Sequence, residues 1–167
     1  IQKTLGYIPG EISFFNDMSG LAFLDFLEKF RGLSKSRKDE LIEYFDLNPK
    51  GKIKKMSKGM KQKIGIVAAF MHDPDILILD EPTSGLDPLM QKKFIDLLES
   101  EKKRGKTILI SSHIFEEVDA CCDRIAVIKD GKIVSLFHAD DLKHNKIKRY
   151  VITYETEEKR DNAIKRL

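Results

Sequence analysis

The chain has 167 residues, 41% of them hydrophobic and 34% charged, with a formal net charge of +3. That size and apolar fraction suffice for one domain with a real core and exclude a disordered composition. With 30 basic residues against 27 acidic ones, the total points to no nucleic acid and to no acidic substrate, so charge has to be read by position. Cys121 and Cys122 are sequence neighbours, which strains a mutual disulfide; both are predicted to be reduced thiols without a disulfide partner, in a cytoplasmic protein. No apolar run approaches the roughly 18–20 residues that span a bilayer, and the start shows no signal-peptide pattern. The chain opens at Ile1, inside what reads as a strand, and is therefore expected to be an excised piece of a longer protein.

Thr4-Leu5-Gly6-Tyr7-Ile8 reads as a short strand closed by Pro9-Gly10, with Glu11 beyond the break. Over residues 18–47 the spacing turns helical. Leu24, Leu27 and Phe30, broadened by Phe23 and Phe26, precede Leu41, Ile42 and Phe45 across the polar link Ser34-Lys35-Ser36, which predicts an insert of about two helices. Lysines 50, 52, 54, 55, 58, 61 and 63 follow with no acid among them, around Met56-Ser57-Lys58-Gly59-Met60. Ser57 is placed to cap a helix in which Ile64, Val67, Ala68 and Met71 recur at i, i+3, i+4 and i+7. A helix N-terminus with a hydroxyl, a glycine for close approach and surrounding lysines is physically an anion site. A solvated basic face with a routine serine cap fits the same residues.

Asp73-Pro74 ends that helix, and Ile76-Leu77-Ile78-Leu79 follows at once. Four aliphatic residues are too few for a helix and suit a strand buried on both faces, which then delivers Asp80 and Glu81 to the edge of a sheet. A plain solvated turn would also accommodate the two acids and the Pro82-Thr83-Ser84-Gly85 that follow. Asp87 can cap, and Pro88 open, a helix carrying Phe94, Leu97 and Leu98 that stops at Gly105. Residues 107–112 are expected as a second buried strand with His113 at its end, just before another helix. The strand, helix, strand order implies a right-handed parallel crossover, which brings Asp80, Glu81 and His113 to one carboxyl-end edge, where open parallel sheets bind ligands. Residues 124–129 and 132–137 are predicted as hairpin strands joined at Asp130-Gly131, and the compact domain is expected to end near Leu142. Beyond it a basic segment turns into a strand at 150–154 and a charged helical stretch at 157–167, read together as the start of an appended module or linker at 143–167.

Taken in that order, the motifs over roughly residues 5–142 resemble the nucleotide-binding subunit of an ATP-binding cassette (ABC) transporter. The run ending Asp80-Glu81 is similar to the Walker B strand and catalytic glutamate, and Ser84-Gly85-Leu86-Asp87 to the D-loop. His113 is similar to the switch histidine. Met56-Ser57-Lys58-Gly59-Met60 looks like the ABC signature, with Lys58 and Met60 in place of the usual Gly and Gln, and Tyr7-Ile8-Pro9-Gly10-Glu11 aligns with the Q-loop, with Gly10 where the family has Gln. The resemblance implies an α/β fold: an incomplete P-loop NTPase-like parallel sheet with a helical subdomain at about 16–72 and a C-terminal β-hairpin, in a partial ATPase domain at 1–142. It implies ATP and Mg²⁺ as cofactors. Asp80 would hold Mg²⁺ through water, Glu81 would orient and deprotonate the attacking water, and His113 would donate to the γ-phosphate. Ser57, Lys58, Gly59 and Met60 would face the nucleotide of a second nucleotide-binding subunit, while Ser84, Gly85 and Asp87 stitch the two halves together. Because Gly10 offers no side-chain oxygen, Glu11 is expected to take over part of the Q-loop task.

The phosphate loop G-x-x-x-x-G-K-[ST] is absent from these residues. Gly105-Lys106-Thr107 supplies its last three letters, but Ser100 stands where the first glycine is required, and the site runs from helix to strand instead of strand to helix. In the family this loop precedes the Q-loop, so the chain is expected to be a C-terminal portion that is inactive alone. The missing strand would sit beside the one ending at His113, leaving unpaired backbone that invites association. The expected function is ATP hydrolysis powering solute export through separate transmembrane permease subunits, docked on residues 15–47 at the inner face of the membrane. Two other readings remain at this point: a soluble ABC-type ATPase acting on the ribosome or DNA, and a noncatalytic degenerate fragment. The intact Asp80, Glu81 and His113 favour an active parent.

Overall fold

The aliphatic run at 76–79 becomes the central strand of a parallel sheet in the computed structural model, which describes residues 4–15, 17–139 and 157. Strand β1 (Leu5–Ile8) leads through helices α1 (Gly20–Phe30) and α2 (Lys38–Tyr44), a 3₁₀ turn (Ile53–Lys55) and helix α3 (Lys58–Phe70) to strand β2 (Ile76–Asp80). Helix α4 (Pro88–Lys103) crosses to strand β3 (Thr107–Ser111), and helix α5 (Phe115–Cys121) follows. Strand order is β1-β2-β3, with Leu5 opposite Ile76 and Asp80 opposite Ser111. The helix starts follow their capping residues: Ser19 Oγ accepts from the Ala22 amide, Ser57 Oγ from Met60, and Asp87 Oδ1 from Met90. Each such cap contributes about 1 kcal/mol.

Leu77 and Leu79 are fully buried with Ile8, Ile64, Phe70 and Phe94 in one core cluster. The expectation of a strand buried on both faces is corrected here: Ile76 is 44% exposed, and so is much of Tyr7 and Leu109 on the same side of the sheet. The helices bury the opposite side of the sheet, that of Ile8, Leu77 and Leu79. Strand β3 is likewise an edge strand whose side chains alternate between exposed and half-buried, not the buried strand expected at 107–112. Helix α3 departs in the opposite direction. Beyond the predicted stripe, Ile66, Ala69 and Phe70 are also buried, because α1, α2 and β1 all pack against it.

The described residues divide into two compact units, Ile1–Cys122 and Asp123–Leu167. In the second, β4 (Arg124–Lys129) and β5 (Lys132–His138) form an antiparallel hairpin whose turn residues Asp130 and Gly131 have φ of 51° and 70°, the left-handed pair a tight turn requires. The strand expected at 150–154 and the module expected at 143–167 lie outside the described residues, apart from Glu157. No helix among the described residues is long and apolar enough to cross a membrane.

Gly105-Lys106-Thr107 serves structure. Lys106 is buried and ion-paired to Asp73 and to the fully buried Glu101. Arg37 (2.6 Å) and Arg104 (2.9 Å) complete a network around Glu101, and Arg104 also reaches Asp73 at 2.6 Å. Arg104 first, and Lys106 next, hold the Asp73 carboxyl well below the usual carboxylate range. Burial pushes Glu101 up, but Lys106 and Arg37 outweigh it and hold it low. Carboxylates depressed in the folded state stabilise it above their unfolded pKa of about 4, and that contribution is lost as pH falls through the folded values. The urea midpoint is therefore expected to drop steadily as pH is lowered from about 5. Glu101→Gln, which strips a buried charge from its partners, is expected to cost about 3 kcal/mol at neutral pH and to flatten that acid limb.

Candidate active site

Parallel pairing of β2 with β3 puts two strand tips side by side, and both end in polar residues. Asp80 stands opposite Ser111, whose hydroxyl donates a hydrogen bond to Asp80 Oδ1. The same Ser111 Oγ accepts from the Glu81 amide at 3.3 Å, and the Ser111 carbonyl accepts from that amide at 3.1 Å. Thus one β3 residue ties down both acids. Glu81 has φ of 46°, a left-handed conformation uncommon for a residue with a side chain and costing on the order of 1 kcal/mol. The turn that follows holds it there through the Ser84 amide, which donates to the Glu81 carbonyl. So bent, Glu81 directs Oε2 to within 2.7 Å of His113 Nδ1. Because an ionised carboxylate only accepts, Nδ1 carries the proton, and Nε2 of the exposed imidazole is left for another partner.

Asp80 Oδ2 faces Gly10. A Cβ built on Gly10 would lie 2.8 Å from it, so the glycine leaves open the ground directly before the carboxylate. An exposed carboxylate beside a hydroxyl is a hard-oxygen donor set suited to Mg²⁺. Among the described residues no cluster of three or more His, Cys, Asp or Glu could hold a metal. A cation at Asp80 would thus draw most of its oxygens from water and a phosphate, which is how Mg²⁺ is commonly held. Glu11, expected to share the Q-loop task, is exposed next to Gly10. It lines a cleft of about 390 Å³ with Pro9, Phe14, Phe23, Leu27 and Arg31, and its carboxylate has no partner among the described residues.

The signature-like residues pack on the turn after β2. Lys58 Nζ donates to Ser84 Oγ at 2.8 Å, and a Cβ on Gly59 would lie 2.6 Å from the Gly85 carbonyl oxygen. Ser57 Oγ is engaged in capping α3, with Met60 providing the amide, and Asp87 caps α4. Residues the sequence reading passed over complete this junction. The buried Gln62 donates to the Pro82 carbonyl at 2.7 Å, tying α3 to the acidic turn. Ser111 is the other, and the only signal for it was a pair of serines at the strand end. Ser112 Oγ in turn donates to Glu117 and accepts from the Ile114 amide, which fixes the backbone on either side of His113.

A family model described as "AAA domain, putative AbiEii toxin, Type IV TA system" matches residues 10–119. The linearmycin resistance ATP-binding protein LnrL of Bacillus subtilis is 36% identical over 147 residues, covering 84% of this chain and 47% of LnrL. The chain thus spans about half the length of the curated relatives it matches. A solved ATP-binding subunit of an ABC transporter superposes with a TM-score of 0.76 at 29% identity, over 86% of this chain and 62% of that one. The dimeric, post-hydrolysis ATP-binding cassette MJ0796, bound to ADP and Pi, shares the fold with a TM-score of 0.69 at 22% identity, over 81% of this chain and 63% of that one. The chain belongs to the AAA-domain family, and over about half of their length it is similar to ATP-binding proteins of ABC transporters.

Proposed function

We propose that the edge formed by Asp80, Glu81 and His113 is the water-activating half of an ATPase that drives solute export through separate membrane subunits. The observation that carries this is the 2.7 Å contact between Glu81 and His113 beside Asp80 at the carboxyl end of a parallel sheet. Bound Mg²⁺-ATP would supply the γ-phosphoryl group and the charge that makes it susceptible to attack. Asp80, immobilised by Ser111, would hold the metal through water. Glu81 is the base: its strained backbone aims the carboxylate outward, where it orients a water and accepts its proton. His113, hydrogen-bonded to that carboxylate through Nδ1–H, keeps it in place, and as an imidazolium would also donate from Nε2–H to the developing charge.

Ser57, Lys58, Gly59 and Met60 offer the N-terminus of a 13-residue helix to the nucleotide of a second subunit. Their packing on Ser84 and Gly85 supports a single unit in which signature and D-loop, Asp87 included, move together. The cleft between Glu11, Phe14, Phe23 and Arg31 is the natural seat for a segment of a membrane partner: apolar walls with one acid and one base at the rim. Its neighbour Gly10 bears no Q-loop glutamine, so contact made there reaches Asp80 through the backbone of Pro9-Gly10.

Without a phosphate loop in its sequence, the 167-residue chain is expected to show no ATP turnover. Fusing a phosphate-loop segment from an ATP-binding relative ahead of residue 1 is expected to restore turnover, and Glu81→Gln to lower it by about 10²–10⁴-fold. Turnover by the chain alone, or a fusion indifferent to Glu81→Gln, refutes the assignment. Gly59→Ala, whose Cβ meets the Gly85 backbone, is expected to lower stability by about 1–3 kcal/mol in urea denaturation.

A further inference from the structure

Helix α1 turns an aromatic ridge outward. Phe15, Phe26 and Phe30 are 60%, 44% and 65% exposed, an unusual concentration of large apolar side chains in one place. They are contiguous: the Phe15 and Phe26 rings meet edge-on with centroids 6.1 Å apart, and Phe26 stacks on Phe30 at 5.9 Å. The lysine-rich segment runs directly alongside. The Gly20 and Leu21 amides donate to the Gly51 and Pro49 carbonyls, the Ile53 amide donates to the Met18 carbonyl, and Lys54 pairs with Asp17, two residues from Phe15.

The acids near the ridge are already engaged. Asp17 holds Lys54, while Asp25 and Glu28 both hold Lys38, whose ammonium they raise to about 12 against the opposing effect of burial. By contrast Lys29, on α1 itself, and Lys50, Lys52 and Lys55 are exposed, and their side chains have no ion-pair partner among the described residues. The surface is therefore a protruding aromatic ridge flanked by uncompensated cations.

We propose that this face of α1 and the 50–55 loop seats directly on an anionic lipid surface. Protruding phenyl rings suit the boundary between headgroups and acyl chains, and flanking lysines complement lipid phosphates and carboxylates. A single-stranded nucleic acid fits less well, since it needs free ring faces for its bases, and here the rings occupy one another. The ridge adjoins the cleft lined by Glu11, Phe14 and Arg31, since the Phe15 ring lies 6.4 Å from that of the cleft-lining Phe23, and lipid contact there orients the subunit without a membrane-spanning segment.

The test is flotation of the 167-residue chain with vesicles of phosphatidylcholine alone and of equal parts phosphatidylcholine and phosphatidylserine. Binding is expected only to the phosphatidylserine vesicles and is expected to weaken with added salt. The combined Lys50→Glu, Lys52→Glu and Lys55→Glu variant is expected to lose on the order of 100-fold in partitioning. Phe26→Ser with Phe30→Ser is expected to reduce binding at every salt concentration, with circular dichroism showing both variants folded. The proposal is overturned by absent binding, by equal binding to both vesicle types, or by a lysine variant that partitions like the parent. It is overturned equally if a single-stranded oligonucleotide binds with the same lysine and phenylalanine dependence while the vesicles do not compete.

Discussion

The alignment of Asp80 with Ser111 across two parallel strands is the constraint on which the acidic edge depends. A shift of one residue in that register would send Asp80 to the opposite face of the sheet and leave the Glu81 amide without its acceptors. In the observed register a single serine donates to one acid and accepts from the backbone of the next. That economy has a physical origin: the serine hydroxyl is one of the few side-chain groups that can do both at once. His113, two residues beyond, meets Glu81 from backbone that Ser112 anchors on either side of it.

The register is itself enforced from a distance. Helix α3 must lie flat enough to bury Ile64, Ile66, Val67 and Phe70 while its first turn touches the loop after β2. Gly59 makes this possible, for any larger residue would push against the Gly85 carbonyl. At the other end of β2, Asp73 and Glu101 gather Arg37 from just ahead of α2 and Arg104 and Lys106 from the α4–β3 connection. A buried charge network of this kind is costly to desolvate and costly to break, so it selects one arrangement more than it stabilises it. The sheet is thus clamped at both ends, by small-residue contact near the acids and by ion pairing at the opposite ends of the strands.

Much of the architecture was legible in the residues. Caps at Ser57 and Asp87, the proline at the start of α4, the Asp130-Gly131 turn and the strand carrying Asp80 all follow from local stereochemistry, which operates over four or five residues and is written there. Burial was less legible. An aliphatic run such as 76–79 announces a strand but not how many faces will be covered, because covering is done by segments remote in sequence. Ile76 and Leu109 stand exposed for that reason. Similarly, Gly105-Lys106-Thr107 imitates a phosphate loop in letters, and only its setting in an ion-pair network explains why a lysine is there.

The sequence by itself determined the elements, their order and the chemical character of the strand tips, since periodicity, capping and turn chemistry are local properties. It also determined the family resemblance, because a run of spaced motifs survives even when single positions such as Gly10, Lys58 and Met60 depart from it. Tertiary structure alone decided which groups touch: Glu81 with His113, Ser111 with Asp80, and Gln62 with the Pro82 carbonyl. Hydrogen bonds of that kind span 20 to 32 residues of chain, and their geometry is set by helix packing and strand register, which no local pattern encodes.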